Sequence, residues 1–174
     1  GISVVGPTGL TAAPGLTVSA DRLENSHIRV TIGKDGTITS LFDKQTGREA
    51  LAGRGNQLVA YPMDKPRNWD AWDVEDDYTA NAQELTEVES VEIVESGPHR
   101  AAIRVVKRFR DSVVTQTYSL WANAPRLDIK THLDWHDRRV LLRTLTPVAV
   151  RSNYATFECA FGIVRRSTHE NTSW

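Results

Sequence analysis

The sequence has few of the features that mark a disulfide-stabilised, membrane-spanning or nucleic-acid-binding protein. Its single cysteine, Cys159, excludes an internal disulfide framework and a cysteine-based zinc cluster. No apolar run approaches the roughly 20 residues of a membrane span, and no charged-then-apolar signal opens the chain. The 21 basic and 22 acidic residues nearly cancel, so nucleic acid and anionic membranes find no support as partners. A cytoplasmic location fits this composition.

Helical periodicity is also missing, and period-two alternation takes its place. The clearest alternating segment is Arg126 to His136, whose apolar side carries Leu127, Ile129, Thr131, Leu133 and Trp135. Such alternation predicts a strand with one buried and one polar face. Asp35-Gly36 predicts a tight hairpin turn in which both residues take positive φ angles, and Arg110 to Ser112 predicts a second hairpin. Eight or more such strands with short turns predict an all-β fold, an antiparallel β-sandwich.

The composition divides the chain at about residue 20. Residues 1–20 are rich in Gly, Pro, Thr and Ala, and they predict a short strand and a linker from a preceding domain. Residues 21–174 predict the sandwich domain itself. Its last strand is expected at Tyr154 to Val164, with Ala155, Phe157, Cys159, Phe161 and Ile163 on one side. Cys159 is therefore expected to be a buried, inert thiol.

One segment fits neither helix nor strand. Asp64 to Tyr78 reads D-K-P-R-N-W-D-A-W-D-V-E-D-D-Y and holds two of the five Trp residues. Aromatic faces beside fixed polar groups suit a sugar, whose C–H face stacks on Trp while its hydroxyls take hydrogen bonds. The candidate binding residues are Arg67, Trp69, Asp70, Trp72 and Asp73. In the alternative interpretation the two Trp plug the end of the sandwich, and Asp70 and Asp73 cap turns.

Other polar groupings give weaker indications. His132, Asp134 and His136 share one strand face and could form a facial metal triad, or simply a row exposed to solvent. The alternating acids Asp73, Glu75 and Asp77 lack the glycine and terminal Glu of a known calcium loop, which favours an acidic surface. Asp70 and Asp73 would stand about 10 Å apart and point to opposite sides if extended, so they are not expected to form a catalytic pair. We assign no catalytic residue and no metal ligand to this chain.

Several stretches taken together resemble the α-mannosidases of glycoside hydrolase family 38, in its bacterial and cytosolic or vacuolar branch. The most specific is Asp64 to Asp73, D-K-P-R-N-W-D-A-W-D. The others, in the order and spacing of that family, are Leu23-Glu24-Asn25, the run from Asp35 to Lys44, Gly55-Asn56-Gln57-Leu58, Asp134-Trp135-His136-Asp137 and Thr168 to Trp174. The resemblance covers most of the chain from Leu23 onward.

The resemblance implies a parent enzyme that hydrolyses terminal α-mannosides with retention, through a covalent glycosyl-enzyme intermediate. In that family a divalent metal, usually zinc, and an Asp nucleophile belong to an N-terminal catalytic domain, and no residue of this sequence maps onto them. This chain resembles the opening part of a C-terminal sandwich of the galactose-mutarotase-like type and is expected to be truncated at its C-terminus. It would pack on the catalytic domain, help to wall the sugar site, hold no cofactor, and be inactive alone.

Two other functions remain open at this stage. A freestanding carbohydrate-binding module would use Trp69 and Trp72 as a stacking platform. A mutarotase-like epimerase would use His132 or His136 as acid or base. Because a truncated sandwich leaves open edges and apolar surface, self-association into a homo-oligomer is also expected.

Overall fold

The computed structural model describes residues 15–62, 68, 74 and 77–169. One 3₁₀ helix, Tyr78–Asn81, is present among these residues. The strands, in chain order, are β1 Thr17–Ser19, β2 Arg22–Glu24, β3 Ile28–Ile32, β4 Ile38–Asp43, β5 Arg48–Glu49, β6 Gln57–Pro62, β7 Gln83–Glu84, β8 Val88–Ser96, β9 Arg100–Phe109, β10 Ser112–Trp121, β11 Leu127–Asp134, β12 Val140–Leu145, β13 Tyr154–Cys159 and β14 Gly162–Ser167.

Two antiparallel sheets form the central sandwich. One has the order β1-β2-β3-β4-β5 and the other β11-β10-β9-β8. The main core cluster joins them, and its members come from both sheets: Leu23, Ile28, Val30, Ile32 and Ile38 from the first, Ala101, Ile103, Val105, Tyr118 and Leu120 from the second, with Leu51 beside them. Alternate residues on both sheets therefore share one buried layer, and the predicted antiparallel β-sandwich is confirmed.

A third sheet, of order β12-β6-β7, lies at a second core cluster. That cluster contains Leu58, Ala60, Leu85, Phe109 and Val114, and it is flanked by Trp135, Val140 and Leu142. Since β9 and β10 supply members to both clusters, the small sheet is packed against the end of the four-stranded one. This arrangement fixes where β6 delivers the chain into the Trp-rich segment.

The two predicted hairpins are present, with one correction to a turn. β3 pairs with β4 across Asp35-Gly36, and β9 pairs with β10 across Arg110-Asp111. In the first turn only Gly36 has a positive φ, of 70°. Asp35 acts differently from the prediction, because its side chain accepts hydrogen bonds from the backbone and hydroxyl of Thr37. In the second turn Arg110 has a φ of 52°.

The predicted last strand is wrong in its details. Residues 154–164 are not one strand, because the chain reverses between Cys159 and Gly162 and forms the β13–β14 hairpin. Phe161 lies in the turn with a φ of 63° and is fully exposed. Cys159 is an exposed free thiol rather than a buried one. The alternation of side chains along the sequence continues by chance through the turn at Ala160 and Phe161, which contains neither Gly nor Asn.

β11 has the predicted two faces, but its apolar face is only partly covered. Leu127 packs on the main core and Trp135 on the second cluster. Between them Ile129 and Leu133 are exposed among the described residues. The division of the chain at residue 20 stays a prediction, and β1 on its N-terminal side pairs with β2.

Candidate functional site

The Trp-rich segment begins where β6 ends and finishes at the 3₁₀ helix. All five candidate binding residues, Arg67, Trp69, Asp70, Trp72 and Asp73, lie outside the described residues. What the structure does describe is the base from which the segment departs, formed by Tyr61 on β6, Tyr78 on the 3₁₀ helix and Arg143 on β12. We call these three residues the segment base.

Aromatic and hydrogen-bond contacts hold the segment base together. The rings of Tyr61 and Tyr78 meet edge to face, with centroids 5.0 Å apart and an interplanar angle of 63°. Arg143 donates a hydrogen bond to the Tyr78 hydroxyl, and its guanidinium carbon lies 5.7 Å from the centre of that ring. Tyr61 is buried. The end of β6 and the start of the 3₁₀ helix are therefore held side by side, and Arg143 links the helix to β12.

A charged cluster secures the first hairpin turn. Arg54 donates to Asp35 at 2.6 Å and makes a two-pronged contact with Glu84, at 2.8 Å for each bond. Burial tends to raise the pKa of Asp35, but the hydrogen bonds from Thr37 and Arg54 outweigh it and leave that pKa below its usual value. The cluster links the β3–β4 turn to β7. Because both carboxylates already accept hydrogen bonds from Arg54, the cluster has a structural role rather than a role in proton transfer to a ligand.

Beneath this turn lies a buried lysine. Lys107 is 1% exposed, and its Nζ donates to the carbonyl oxygen of Leu85 at 3.0 Å. Burial lowers the pKa of Lys107, while the charges of Asp35 and Glu84 act the other way. A Cβ at Gly36 would come within 2.8 Å of the Lys107 side chain and of Val105. The glycine is thus required by close packing as well as by its φ.

Asn56 connects the third sheet to the sandwich through buried polar contacts. With a φ of 54°, it points its Nδ2 at the Gln116 Oε1 (3.0 Å) and the Tyr118 hydroxyl (2.6 Å). Tyr118 in turn donates to the Gly36 carbonyl at 2.7 Å. Burial raises the pKa of Tyr118 to about 12. The polar groups of this network satisfy one another's hydrogen bonds, so the network is a structural element of the core.

Asn25 plays a similar part at the other end of the sandwich. Its Nδ2 donates to the carbonyl oxygens of Trp121 and Ala124, at 2.7 and 2.9 Å. Its Oδ1 accepts from the backbone N–H groups of His27 and Ile28, both at 2.8 Å. All four bonds go to backbone groups, so this fully buried side chain closes the link between β2 and β3 and fastens it to the end of β10.

The stretch Asp134 to Asp137 is also structural. The Trp135 ring stacks on Phe109, with an interplanar angle of 4° and centroids 5.9 Å apart. Asp137 accepts a 2.5 Å hydrogen bond from the Ser112 hydroxyl, whose oxygen accepts from the His136 backbone N–H at 2.9 Å. These contacts hold the end of β11 against the start of β10.

The metal interpretation of the β11 polar face is not supported. His136 Nε2 lies 2.9 Å from Asp134 Oδ1, and His132, Asp134 and His136 are all exposed. Within the described parts of the chain no three His, Cys, Asp or Glu side chains come together as metal ligands would. The three residues form the solvent-facing row. Of the acidic run, Asp77 is described and exposed, while Asp73 and Glu75 lie outside the described residues.

Sequence reasoning missed the buried polar groups. Lys107, Gln116 and Tyr118 stand at inward-facing positions of β9 and β10, where the alternation places apolar side chains. A polar residue at an inward position is the signal that could have found them, since such a group needs a partner inside the protein.

The geometry defines an antiparallel β-sandwich domain with a long Trp-rich segment between β6 and the 3₁₀ helix. Residues 23–174 match the family described as the glycosyl hydrolases family 38 C-terminal domain. Because that match covers most of the chain, the chain belongs to this family.

Curated relatives agree with the match. Alpha-mannosidase G of Dictyostelium discoideum is 32% identical over 161 residues, Alpha-mannosidase 2C1 of Homo sapiens 35% over 156, and Alpha-mannosidase of Saccharomyces cerevisiae 34% over 169. Each alignment covers 87% of this chain but only 14% or 15% of the relative. The chain thus spans about one seventh of the length of these relatives. Among the described residues, no helix is long and apolar enough to cross a membrane.

Proposed function

We propose that this chain is an accessory β-sandwich of an α-mannosidase that hydrolyses terminal α-mannosides with retention. Its role is to pack on the catalytic domain and to hold the Trp-rich segment so that Arg67, Trp69, Asp70, Trp72 and Asp73 wall the sugar site. The catalytic carboxylates and a divalent metal, zinc, belong in this proposal to the N-terminal catalytic domain of the parent. The chain alone has no mannosidase activity, and the parent is placed in the cytoplasm.

The observation that carries the accessory role is where the family's motif residues lie. Asn25, Asn56, Trp135 and Asp137 all contribute to packing or to hydrogen bonds inside the sandwich. Catalysis by a retaining glycosidase needs two carboxyl groups about 5–5.5 Å apart on either side of one sugar. The motif residues instead support a scaffold, and the segment base supports a fixed point at which the Trp-rich segment begins and ends.

The residues described here do not fit a bound metal ion. His132, Asp134 and His136 offer two imidazoles and a carboxylate, but they form an exposed row on one edge strand. No step of the proposed function therefore passes through a metal held by these residues. Zinc in the parent rests on the family resemblance alone.

Family membership favours the accessory role over the two alternatives. The relatives that contain the matching region as 14% or 15% of their length are named alpha-mannosidases, rather than carbohydrate-binding modules or epimerases. For the epimerase, His132 and His136 stand exposed on β11, where nothing described would shield a sugar carbon from water.

The first experiment compares this chain with the full-length protein in p-nitrophenyl α-mannoside hydrolysis, with zinc and then cobalt added. We expect turnover by the full-length protein only. Turnover by the isolated chain would contradict the assignment of catalysis to another domain, and absence of turnover by both would contradict the mannosidase activity.

The wall role is tested in the full-length protein with Trp69→Ala and Trp72→Ala. Loss of a stacking contact is expected to lower kcat/KM roughly tenfold, which corresponds to about 1.4 kcal/mol. Arg143→Ala should act through the segment base and raise KM severalfold with a smaller change in kcat. Arg165→Ala is the matched control, because Arg165 also lies over a tyrosine ring, 4.5 Å from Tyr154, but on the β13–β14 hairpin. Unchanged kinetics in both Trp variants would favour the plug interpretation.

A further inference from the structure

The outward face of the sheet β8–β11 carries a trough with a floor of small residues. Thr117, Ser119 and Trp121 follow one another on the outward side of β10. By register Ser119 lies between Ala102 on β9 and Asp128 on β11. The walls are longer side chains: Arg100 and Arg104 on β9, Lys130 on β11 and Glu95 on β8. The trough has a volume of about 460 Å³, within the range of roughly 300–1,000 Å³ usual for small-molecule sites.

An exposed indole closes one end of the trough. Trp121 is 44% exposed, although a large aromatic side chain at a strand end is normally covered. The Arg100 guanidinium lies 5.2 Å from the ring centroid and is itself held by Glu95 at 2.6 Å. The backbone of Trp121 is fixed by Asn25, whose amide donates to its carbonyl oxygen. The ring is therefore a pre-positioned apolar surface beside polar groups, which is the combination that binds an amphipathic ligand.

Several polar groups on the floor and wall have no hydrogen-bond or ion-pair partner among the described residues. Thr117 and Ser119 hydroxyls and the Lys130 ammonium make no hydrogen bond or ion pair with any other described residue. By contrast Arg104 pairs with Glu92 at 3.7 Å, and Asp128 with Arg126 at 2.7 Å. Thr117 is paired with Lys130 across β10 and β11, with Cβ atoms about 5 Å apart, and Ser119 lies two residues further along β10, roughly 6.6 Å from Thr117. They suit a ligand that carries closely spaced hydroxyl groups.

Most of the charges around the trough are already paired. Arg100 pairs with Glu95, Arg104 with Glu92 and Asp128 with Arg126, which leaves the Lys130 ammonium without an ion-pair partner among the described residues. A site for phosphate, sulfate or a uronic acid would present several free cations. The pairing favours a neutral ligand, to whose hydroxyl groups a single ammonium can donate hydrogen bonds.

We infer that this trough binds a neutral hexopyranoside unit of an oligosaccharide, with the C–H face of the sugar on Trp121 and its hydroxyls bonded to Thr117, Ser119 and Lys130. This site uses none of the residues of the Trp-rich segment or the segment base. Its function is to hold a glycan chain against the β8–β11 sheet.

The test is native affinity electrophoresis of the full-length protein in gels that contain a soluble mannan, a soluble neutral glucan or dextran sulfate. We expect retardation by at least one neutral polysaccharide. Trp121→Ala should weaken it roughly tenfold in apparent Kd, and Lys130→Met roughly fivefold. Tyr154→Ala is the matched control, because Tyr154 is also an exposed aromatic with an arginine, Arg165, over its ring, and it should leave the retardation unchanged.

Ser119→Gln fills the floor without touching the indole, so it serves as a second variant if Trp121→Ala fails to fold. It should abolish retardation while circular dichroism stays unchanged. No retardation in either neutral gel, retardation in dextran sulfate alone, or equal retardation of wild type, Trp121→Ala and Ser119→Gln would overturn the inference. The p-nitrophenyl α-mannoside assay on the same variants should stay unchanged, which separates this site from the proposed function. Retardation must also persist in the Trp69→Ala/Trp72→Ala double variant, and its loss there would assign binding to the Trp-rich segment instead.

Discussion

The central sandwich and the β13–β14 hairpin are built from the same alternating pattern but are stabilised in different ways. In the sandwich, inward side chains of two sheets meet in one core, and the polar groups among them are paired. In the hairpin, the described residues supply only the partner strand, and Tyr154, Phe157, Phe161 and Ile163 are all exposed. Period two specifies that a segment is a strand, but what covers its apolar face decides whether that face contributes to stability.

A second difference concerns polar residues. The sandwich core contains Asn25, Lys107 and Gln116 in buried positions, each with a hydrogen-bond partner. Burial without a partner would cost several kcal/mol for each group, so these contacts specify one register between the sheets. The hairpin has no comparable buried polar link within the described chain. If this contrast is correct, substitutions in the two regions should differ in size and in kind.

The largest effect is expected from Leu23→Ala. Leu23 is completely buried in the main core, between the two sheets. Its truncation removes apolar contacts and leaves a cavity, so the free energy of unfolding should fall by about 3 kcal/mol. Urea denaturation of the chain followed by tryptophan fluorescence measures this, with the exposed Val150→Ala as control. Equal loss in both variants would contradict the assignment of the core.

High pH should weaken the sandwich through Tyr118. The unfolded phenol loses its proton near pH 10, whereas burial keeps the folded one protonated up to a pKa of about 12. The folded state then binds more protons, so stability is fully present below pH 10 and falls by about 2 kcal/mol as pH rises to 12. Lys107 acts in the opposite direction, because its lowered pKa makes stability rise with pH up to 10.5. The decline is therefore read above pH 10.5.

Urea titrations at pH 10.5, 11.2 and 12 measure this decline in wild type and Tyr118→Phe. The variant is less stable at neutral pH, because it loses the bonds to Asn56 and Gly36. It should nevertheless show a flatter profile above pH 10.5. Tyr154→Phe is the control, since Tyr154 is exposed and its loss should leave the slope as in wild type. Identical slopes in wild type and Tyr118→Phe would refute the role of Tyr118.

Asn25→Ala should cost about 2 kcal/mol, mainly because it leaves backbone groups unsatisfied at the end of the sandwich. The carbonyls of Trp121 and Ala124 lose a donor, and the N–H groups of His27 and Ile28 lose an acceptor. Amide hydrogen exchange should become faster at His27 and Ile28 first. Asn123→Ala, at an exposed position two residues from Trp121, should change neither stability nor exchange. A cost below 0.5 kcal/mol would mean that water replaces all four bonds.

Sequence reasoning predicted the parts of the fold that depend on local pattern. The hairpins β3–β4 and β9–β10 follow from alternation and from turn residues at Asp35-Gly36 and Arg110-Asp111. The β13–β14 turn was missed because Ala160 and Phe161 give no turn signal, and a bulky aromatic at positive φ is rare. Exposure of Cys159 follows from the same error. Whether the apolar face of a strand is covered depends on tertiary packing, and alternation along the sequence does not specify that packing.

The candidate site was less accessible to such reasoning. The Trp-rich segment was singled out by composition, but its base depends on Arg143, which lies 65 residues from Tyr78 in sequence. The trough at Trp121 was not found, because alternation identified a polar face without showing which residues of β9, β10 and β11 stand side by side. That requires the register, which brings Arg100, Ser119 and Asp128 together.

The smallest effect on stability, and the sharpest contrast with Leu23, is expected at Ile163. This side chain is 71% exposed on β14, so Ile163→Ser should change the free energy of unfolding by less than about 0.5 kcal/mol.

The same substitution should reduce self-association of the chain, because exposed apolar side chains on an uncovered hairpin are what a second copy would bury. Light scattering over a concentration series measures this, with Arg166→Ser on the same strand as control. If wild type stays monomeric throughout, the expected homo-oligomer does not form. If Ile163→Ser costs as much as Leu23→Ala, the hairpin shares the core of the sandwich and the contrast between the two regions is wrong.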